Sequence, residues 1–313
     1  MRVVRAVRPG MAAVIGATGF LGSRLVTELS AAGRPMALFN RARPPVVGGR
    51  PAGELGAAET VFFLAAGLNP MLAARSPAHV AEEHSLLAEV LRALTRTSHR
   101  PLVVLASSGG AVYSPRAVPP YRESSPVDPS SAYGHAKLRL ERLLFAHSGA
   151  IRPLVLRLGN VYGPGQHPRR GYGVLAHWLT AVARGEPVRV FGDPSVARDY
   201  VHVDDVTRLL AIVHSTVASG LQANLPTVLN VGSGRPTSLA HLLTILREAT
   251  DRDLTVLQED SRPFDRQSNW LDPTLAQRTL GWSARIELRD GVRRLLELPV
   301  DLLSAPYAPR EVS

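Results

Sequence analysis

The segment VIGATGFLGSRL constrains this chain more than any other. Gly16, Gly19 and Gly22 fall where an apolar run, MAAVIGA at 11–17, meets a helical pattern, GSRLVTELSAAG. Glycines at that spacing let the backbone turn sharply, let a pyrophosphate approach it, and let the following helix pack close to its strand. The free N–H groups of that helix then point at the phosphates. A glycine triplet alone is a weak signal; its position between the first strand and the first helix makes it a dinucleotide-binding turn.

The rest of the chain agrees with that turn. Short apolar runs recur at 35–40, 60–66, 101–107 and 153–159, separated by longer amphipathic stretches such as HVAEEHSLLAEVLRALTRT. Continuous Val/Ile/Leu strands alternating with helices predict a parallel sheet covered on both faces. The expected fold is therefore α/β, a Rossmann-type doubly wound parallel sheet. Beyond about residue 163 the chain is richer in Pro and Gly, which suggests a smaller C-terminal α/β domain. We expect a first domain at 1–162, with 198–231 returning to it, and a second at 163–313.

Composition narrows the classes. No apolar run approaches the roughly 20 residues that cross a bilayer, and the apolar run that follows the basic start MRVVRAVRPG goes straight into the glycine turn, so it reads as a first strand and not as a leader. The chain has no cysteine, which excludes disulfides, a thiol nucleophile and zinc–thiolate sites and fits a cytoplasmic protein; no metal is expected. The net charge is +10, but its arginines are scattered without a dense basic block, so anionic small substrates are a better match than nucleic acid. The second strand ends LFNRARPP. An acid there would hold the adenosine ribose; Asn40, Arg41 and Arg43 stand instead, and arginine there can accommodate a 2′-phosphate.

Of 36 basic residues, one is a lysine, Lys137, four positions after Tyr133 in SAYGHAKLRL. That spacing puts both side chains on one helix face. A phenol with a free pKa near 10 is a poor proton shuttle at neutral pH. An adjacent ammonium stabilises its phenolate, and the compact lysine charge can also reach ribose hydroxyls, which a planar guanidinium cannot copy. With seven tyrosines in 313 residues, the spacing would arise by chance about 2% of the time.

Taken together, GATGFLG, SSGGAVYS at 107–114, YGHAK, LRLGNVYGPGQ at 156–166, RDYVHVDDV at 198–206, LNVGSGRPTSL at 229–239 and LGW at 280–282 resemble, in order and over nearly the whole chain, the extended short-chain dehydrogenases/reductases that act on nucleotide sugars, the NAD-dependent epimerase/dehydratase group. The resemblance implies a nicotinamide cofactor, NAD or alternatively NADP, in the N-terminal domain. A nucleotide-diphosphate sugar would lie in the C-terminal one, and the assembly would be a homodimer. It makes Tyr133 the acid–base residue, Lys137 its support, and Ser108 the hydroxyl donor, with Ser107 the alternative. Cofactor contacts fall on Gly16, Thr18, Gly19, Phe20, Leu21, Gly22, Asn40, Arg41, Leu64, Ala65, Ala66 and Ser107, besides Tyr133 and Lys137. Substrate contacts fall on Ser108, Gly109, Tyr133, Asn160, Phe191, Arg198, Arg262 and Asp265, with Asn269 next to the sugar. The chain also departs from the group: the segment between the second and third long strands is short, FLAA replaces HLAA, and His84 stands where the following helix usually has an asparagine.

Gly109-Gly110-Ala111 occupies the place where eliminating and decarboxylating members of the group carry carboxylates, which argues against those reactions. Two enzyme readings follow, a C4 epimerase working through a transient 4-keto sugar and an NADPH-dependent 4-keto-sugar reductase. The segment GPGQHPRRGYGVLAHWL resembles the epimerase branch, whereas Asn40-Arg41 leans to the reductase. A non-catalytic dinucleotide-binding relative is the third reading, and the retained lysine speaks against it.

Overall fold

A computed structural model describes residues 10–166, 168, 173–251, 253–261 and 268–299. Six strands form the main sheet: β1 (Ala12–Ile15), β2 (Met36–Phe39), β5 (Thr60–Phe63), β6 (Leu102–Ser108), β7 (Arg152–Leu158) and β11 (Val228–Val231). Their order is β2-β1-β5-β6-β7-β11, parallel throughout. Every side chain of β1 and β5 is buried, the signature of strands covered on both faces, which is why their sequences are continuously apolar and do not alternate. The apolar runs at 11–17, 35–40, 60–66, 101–107 and 153–159 supply five of the six strands.

One face is covered by α1 (Phe20–Ala31), α7 (Val203–Ala218) and α9 (Thr274–Leu280), around Leu25, Val206, Leu210 and Trp282. The Trp282 indole is fully buried and donates to the Asp205 carbonyl at 2.8 Å, so its one polar atom is satisfied. The other face carries α3 (Pro77–Leu94) and α5 (Ala132–Ala146), whose Leu87, Val90, Leu91, Leu140 and Leu144 pack on β5 and β6. Burying each such leucine contributes about 1.5–3 kcal/mol.

Between β2 and β5 the doubly wound pattern is interrupted. In place of a helix and a further strand the chain forms a small hairpin, β3 (Val46–Val47) with β4 (Arg50–Pro51), and a single 3₁₀ turn at Leu55–Ala57. Leu55 and Ala58 are fully buried there, so the short connection still closes the core. The Arg96 guanidinium fastens the hairpin to the end of α3 through the Gly49 carbonyl at 2.8 Å.

Two short helices, α2 (Pro70–Arg75) and α4 (Gly109–Val112), lie beyond the C-terminal ends of β5 and β6. The chain after residue 163 is more regular than its Pro and Gly content suggests. β8 (Asn160–Tyr162), β10 (Ala197–His202) and β12 (Pro236–Ser238) form a three-stranded sheet, and β9 (Val188–Phe191) pairs with β13 (Val256–Glu259). α6 (Val174–Arg184), α8 (Leu239–Thr250) and α10 (Leu288–Leu296) bury a separate cluster around Trp178, Leu242 and Leu246. Left-handed glycines stop α6 and α9 at Gly185 and Gly281, where a glycine has no Cβ to strain. Among the described residues no helix is long and apolar enough to cross a membrane.

Candidate active site

The glycine turn joins β1 to α1. Gly16 has φ +90°, and a Cβ there would lie 2.7 Å from the Ala65 amide nitrogen and 2.8 Å from the Leu64 carbonyl carbon. A Cβ on Gly22 would lie 2.0 Å from the Gly16 carbonyl oxygen. Both positions therefore require glycine: Gly22 lets α1 approach its own strand, and Gly16 lets the turn touch the end of β5. Gly19 caps α1 with no side-chain bond, and the first turn holds no acid, so the positive end of the helix is left to an outside anion. Thr18 and Gly19 are exposed at the rim, Phe20 and Leu21 are half-buried, and Leu64, Ala65 and Ala66 run outward beside the turn. These residues fit a dinucleotide pyrophosphate.

At the end of β2 the Asn40 side chain is turned inward on its own loop, accepting from Ala42 N and Arg43 N at 2.9 Å each. Arg43 pairs with Glu54 at 2.8 Å and lies over the Phe39 ring. Arg41 is exposed as well.

Tyr133 and Lys137 are set by the start of α5. The Ser131 hydroxyl accepts from Gly134 N at 3.1 Å, fixing the first turn. A Cβ on Gly134 would fall 2.3 Å from the Ala111 carbonyl oxygen, so α5 lies directly against α4. That contact brings Tyr133 beside Ser108, close enough for the serine hydroxyl to act on the phenol. Ser107, one residue earlier, points the other way: it is buried and donates to Glu141 at 2.5 Å. Glu141 is held in turn by Arg157, through Nη2 at 2.7 Å and Nε at 3.2 Å. The Arg157 guanidinium lies over the Tyr113 ring, and Tyr113 donates to Asn230 Oδ1 at 2.7 Å. Strand alternation thus gives the two serines different work: Ser107 joins a structural network and Ser108 faces the tyrosine.

Lys137 is 2% exposed. Its Nζ lies 5.6 Å from the Tyr133 ring centroid and donates to Glu83 Oε1 at 2.5 Å. Glu83, on α3, also accepts from Leu68 N through Oε2 at 3.3 Å. The carboxylate therefore joins the lysine to the chain that leaves β5. Burial raises the Tyr133 hydroxyl well above the ordinary phenol value, the Glu83 charge raises it further, and the Ser108 hydroxyl opposes both. His84, the expected counterpart of the family asparagine, is half-buried one residue along; the neighbour that reaches the lysine is Glu83. The sequence does hold a signal for it, a glutamate on the apolar stripe of Leu87, Val90, Leu91 and Leu94.

Over α4 sits a strip from the C-terminal half. A Cβ on Gly109 would meet Leu271 at 2.7 Å, and one on Gly110 would lie 3.0 Å from Asn269 Oδ1. Asn269 also bridges to Arg198 on β10, and the Asp199 carboxylate anchors the strip by accepting from Leu271 N at 3.1 Å. Ser108, Gly109, Gly110, Asn269 and Arg198 therefore lie along one line of contacts. Asn160 pairs with Tyr200 where β8 begins, and Phe191 is half-buried at the end of β9. Arg262 and Asp265 lie outside the described residues.

A glycine turn at the first strand and a Ser-Tyr-Lys set two strands away are the arrangement expected of a dinucleotide-dependent oxidoreductase. The sequence model of the NAD dependent epimerase/dehydratase family matches residues 12–232. The chain belongs to that family. Among its relatives is the UDP-glucose 4-epimerase of Mycolicibacterium smegmatis, 30% identical over 91% of this chain and 96% of that protein. A dTDP-6-deoxy-L-talose 4-dehydrogenase (NAD(P)(+)) of Kitasatospora kifunensis is also 30% identical, over 92% and 95%. The solved UDP-glucose 4-epimerase of Thermus thermophilus, a complex with NAD, superposes with a TM-score of 0.77 at 27% identity and covers 94% of this chain and 98% of its own. The fold is thus that of the extended short-chain dehydrogenases/reductases in this family.

Proposed function

We propose that the protein is a nucleotide-sugar 4-epimerase acting on a UDP- or dTDP-hexose with NAD. The observation that carries this reading is the contact of Ser108 with Tyr133 beside an α4 made of Gly109, Gly110, Ala111 and Val112. This site can move a proton at a sugar hydroxyl, and α4 has no carboxylate with which to drive an elimination.

In this reading Tyr133 takes the proton of the 4-hydroxyl and returns it, Ser108 hydrogen-bonds the same oxygen, and Lys137 supplies positive charge under the tyrosine. NAD, when bound, would supply the hydride acceptor and donor for C4. Gly16, Thr18, Gly19, Phe20, Leu21, Gly22, Leu64, Ala65 and Ala66 would hold it, with Asn40 and Arg41 at the adenosine end. Gly109 would leave room for the sugar. Asn160, Phe191, Arg198, Arg262 and Asp265 would hold the nucleotide half, guanidinium on diphosphate and carboxylate on the ribose diol. The division into a dinucleotide domain at 1–162 with 198–231 and a substrate domain at 163–313 belongs to the same proposal. So do a homodimeric state and a cytoplasmic location.

The test is proton NMR of UDP-galactose incubated with the protein and NAD, with a dTDP-hexose as the companion substrate. Inversion at C4 by the wild type and its loss in Tyr133→Phe support the reading, whereas equal turnover in that variant overturns it. The second reading, an NADPH-dependent 4-keto-sugar reductase, is favoured by the exposed Arg41 at an acid-free end of β2. It predicts a protein purified without dinucleotide that prefers added NADPH.

A further inference from the structure

We infer that Glu83 is a positioning residue of the acid–base machinery: it holds the Lys137 ammonium and offsets its charge, so that Tyr133 keeps its proton in the resting enzyme. This rests on the assignment of Tyr133 as the proton-transfer group and adds what controls it. The geometry is specific. Lys137 is 2% exposed, the Glu83 side chain is 6% exposed, and the contact is 2.5 Å. The second carboxylate oxygen is held by Leu68 N, so the acid is fixed on both sides. A lysine standing alone beside a phenol would pull it toward phenolate; a lysine already neutralised by a buried carboxylate does so far less. The sign agrees at Tyr133 itself, where the Glu83 charge favours the protonated form.

No other described charge competes for this role. On α5, Glu141 is engaged with Arg157 of β7, one turn beyond Lys137. The exposed His135 on α5 and Arg75 at the end of α2 face solvent, and His84 on α3 is half-buried. β6 contributes the Ser108 hydroxyl, and α4 carries no ionisable side chain. The consequence is functional: the resting site is set to donate a proton to a carbonyl, and it becomes a base only when a further positive charge, such as that of an oxidised nicotinamide, arrives beside it.

The test is an ultraviolet difference titration of the full-length protein without substrate. The Tyr133 signal is isolated by subtracting the Tyr133→Phe spectrum recorded in the same background. Glu83→Gln, which keeps an oxygen for the Leu68 N–H, should lower the Tyr133 midpoint by about one pH unit or more. Glu83→Asp, which keeps the charge, should leave it near the wild-type value. An unchanged or higher midpoint in Glu83→Gln overturns the inference. If Glu83→Gln does not fold, Lys137→Met is compared with Glu83→Gln/Lys137→Met, in which neither charge is buried alone. The double variant should titrate lower, and equal midpoints refute the role. Because no sugar is present, failure here is separate from failure of the epimerase reading, which the Tyr133→Phe turnover decides.

Discussion

Replacing Lys137 by methionine removes one partner of a buried pair and leaves Glu83 with Leu68 N as its remaining contact. Stranding a buried charge in this way costs about 3–5 kcal/mol. An unfolding entropy of about 2.1 cal/mol/K per residue, taken over 313 residues, amounts to about 0.66 kcal/mol/K. The thermal midpoint of Lys137→Met should therefore fall by about 5–8 °C. Adding Glu83→Gln removes the stranded charge, and the double variant should recover to within about 2 °C of the wild type, because replacing both partners of a buried pair is often close to neutral. Turnover should stay abolished in both variants, since the proposed function gives the lysine a part in the chemistry as well as in the pair. Differential scanning calorimetry on the four proteins of the cycle reads the midpoints, and the C4 inversion assay reads activity. If Lys137→Met melts with the wild type, or if the double variant melts no higher than the single one, the pair does not carry the energy its burial implies and the reasoning fails.

The two serines give a second prediction. Ser107→Ala loses a 2.5 Å bond to a carboxylate and should cost about 1.5–3 kcal/mol of stability with little change in kcat. Ser108→Ala should keep stability and lose about a hundredfold in kcat, as steady-state kinetics beside melting curves will show. Gly22→Ala, whose Cβ would sit 2.0 Å from the Gly16 carbonyl oxygen, should push α1 off its strand and abolish dinucleotide binding measured by fluorescence quenching. Stability should also fall with acid. Burial lowers the pKa of His202 and of the fully buried His214, so below the ordinary value near 6.5 the unfolded chain takes up protons the folded one refuses. The loss should approach about 1.4 kcal/mol per pH unit for each histidine, and His214→Gln should flatten urea-unfolding curves compared between pH 7 and pH 5. At the alkaline end the sign reverses: burial raises Tyr113, Tyr133, Tyr162 and Tyr200, so stability should fall as pH rises beyond about 10, where the unfolded phenols ionise first.

Much of this was legible in the sequence because it rests on local patterns. Five of the six main strands are continuous apolar runs, and the glycine turn and the tyrosine–lysine spacing each lie within a dozen residues. What escaped was carried by contacts between distant segments. Several strands after residue 163 are only three or four residues long, too short for a pattern of their own, and β11 joins the main sheet only through its pairing with β7. The split between Ser107 and Ser108 depends on which face of β6 meets α5, and a pair of adjacent serines does not announce it. Glu83 is 54 residues from Lys137; the sequence offers only an acid on an apolar helix stripe, and topology supplies the partner. The strip that brings Asn269 over Gly110 is a loop contact with no pattern of its own.

The measurement that tests the central claim most directly follows one hydrogen. UDP-galactose carrying deuterium at C4 is incubated with the protein and NAD, and the product is examined by NMR and mass spectrometry. A 4-epimerase that takes and returns the same hydride yields UDP-glucose with the deuterium still on C4 and none in solvent or in free dinucleotide. Deuterium released to water, or recovered in dissociated reduced dinucleotide beside a 4-keto sugar, would contradict the account.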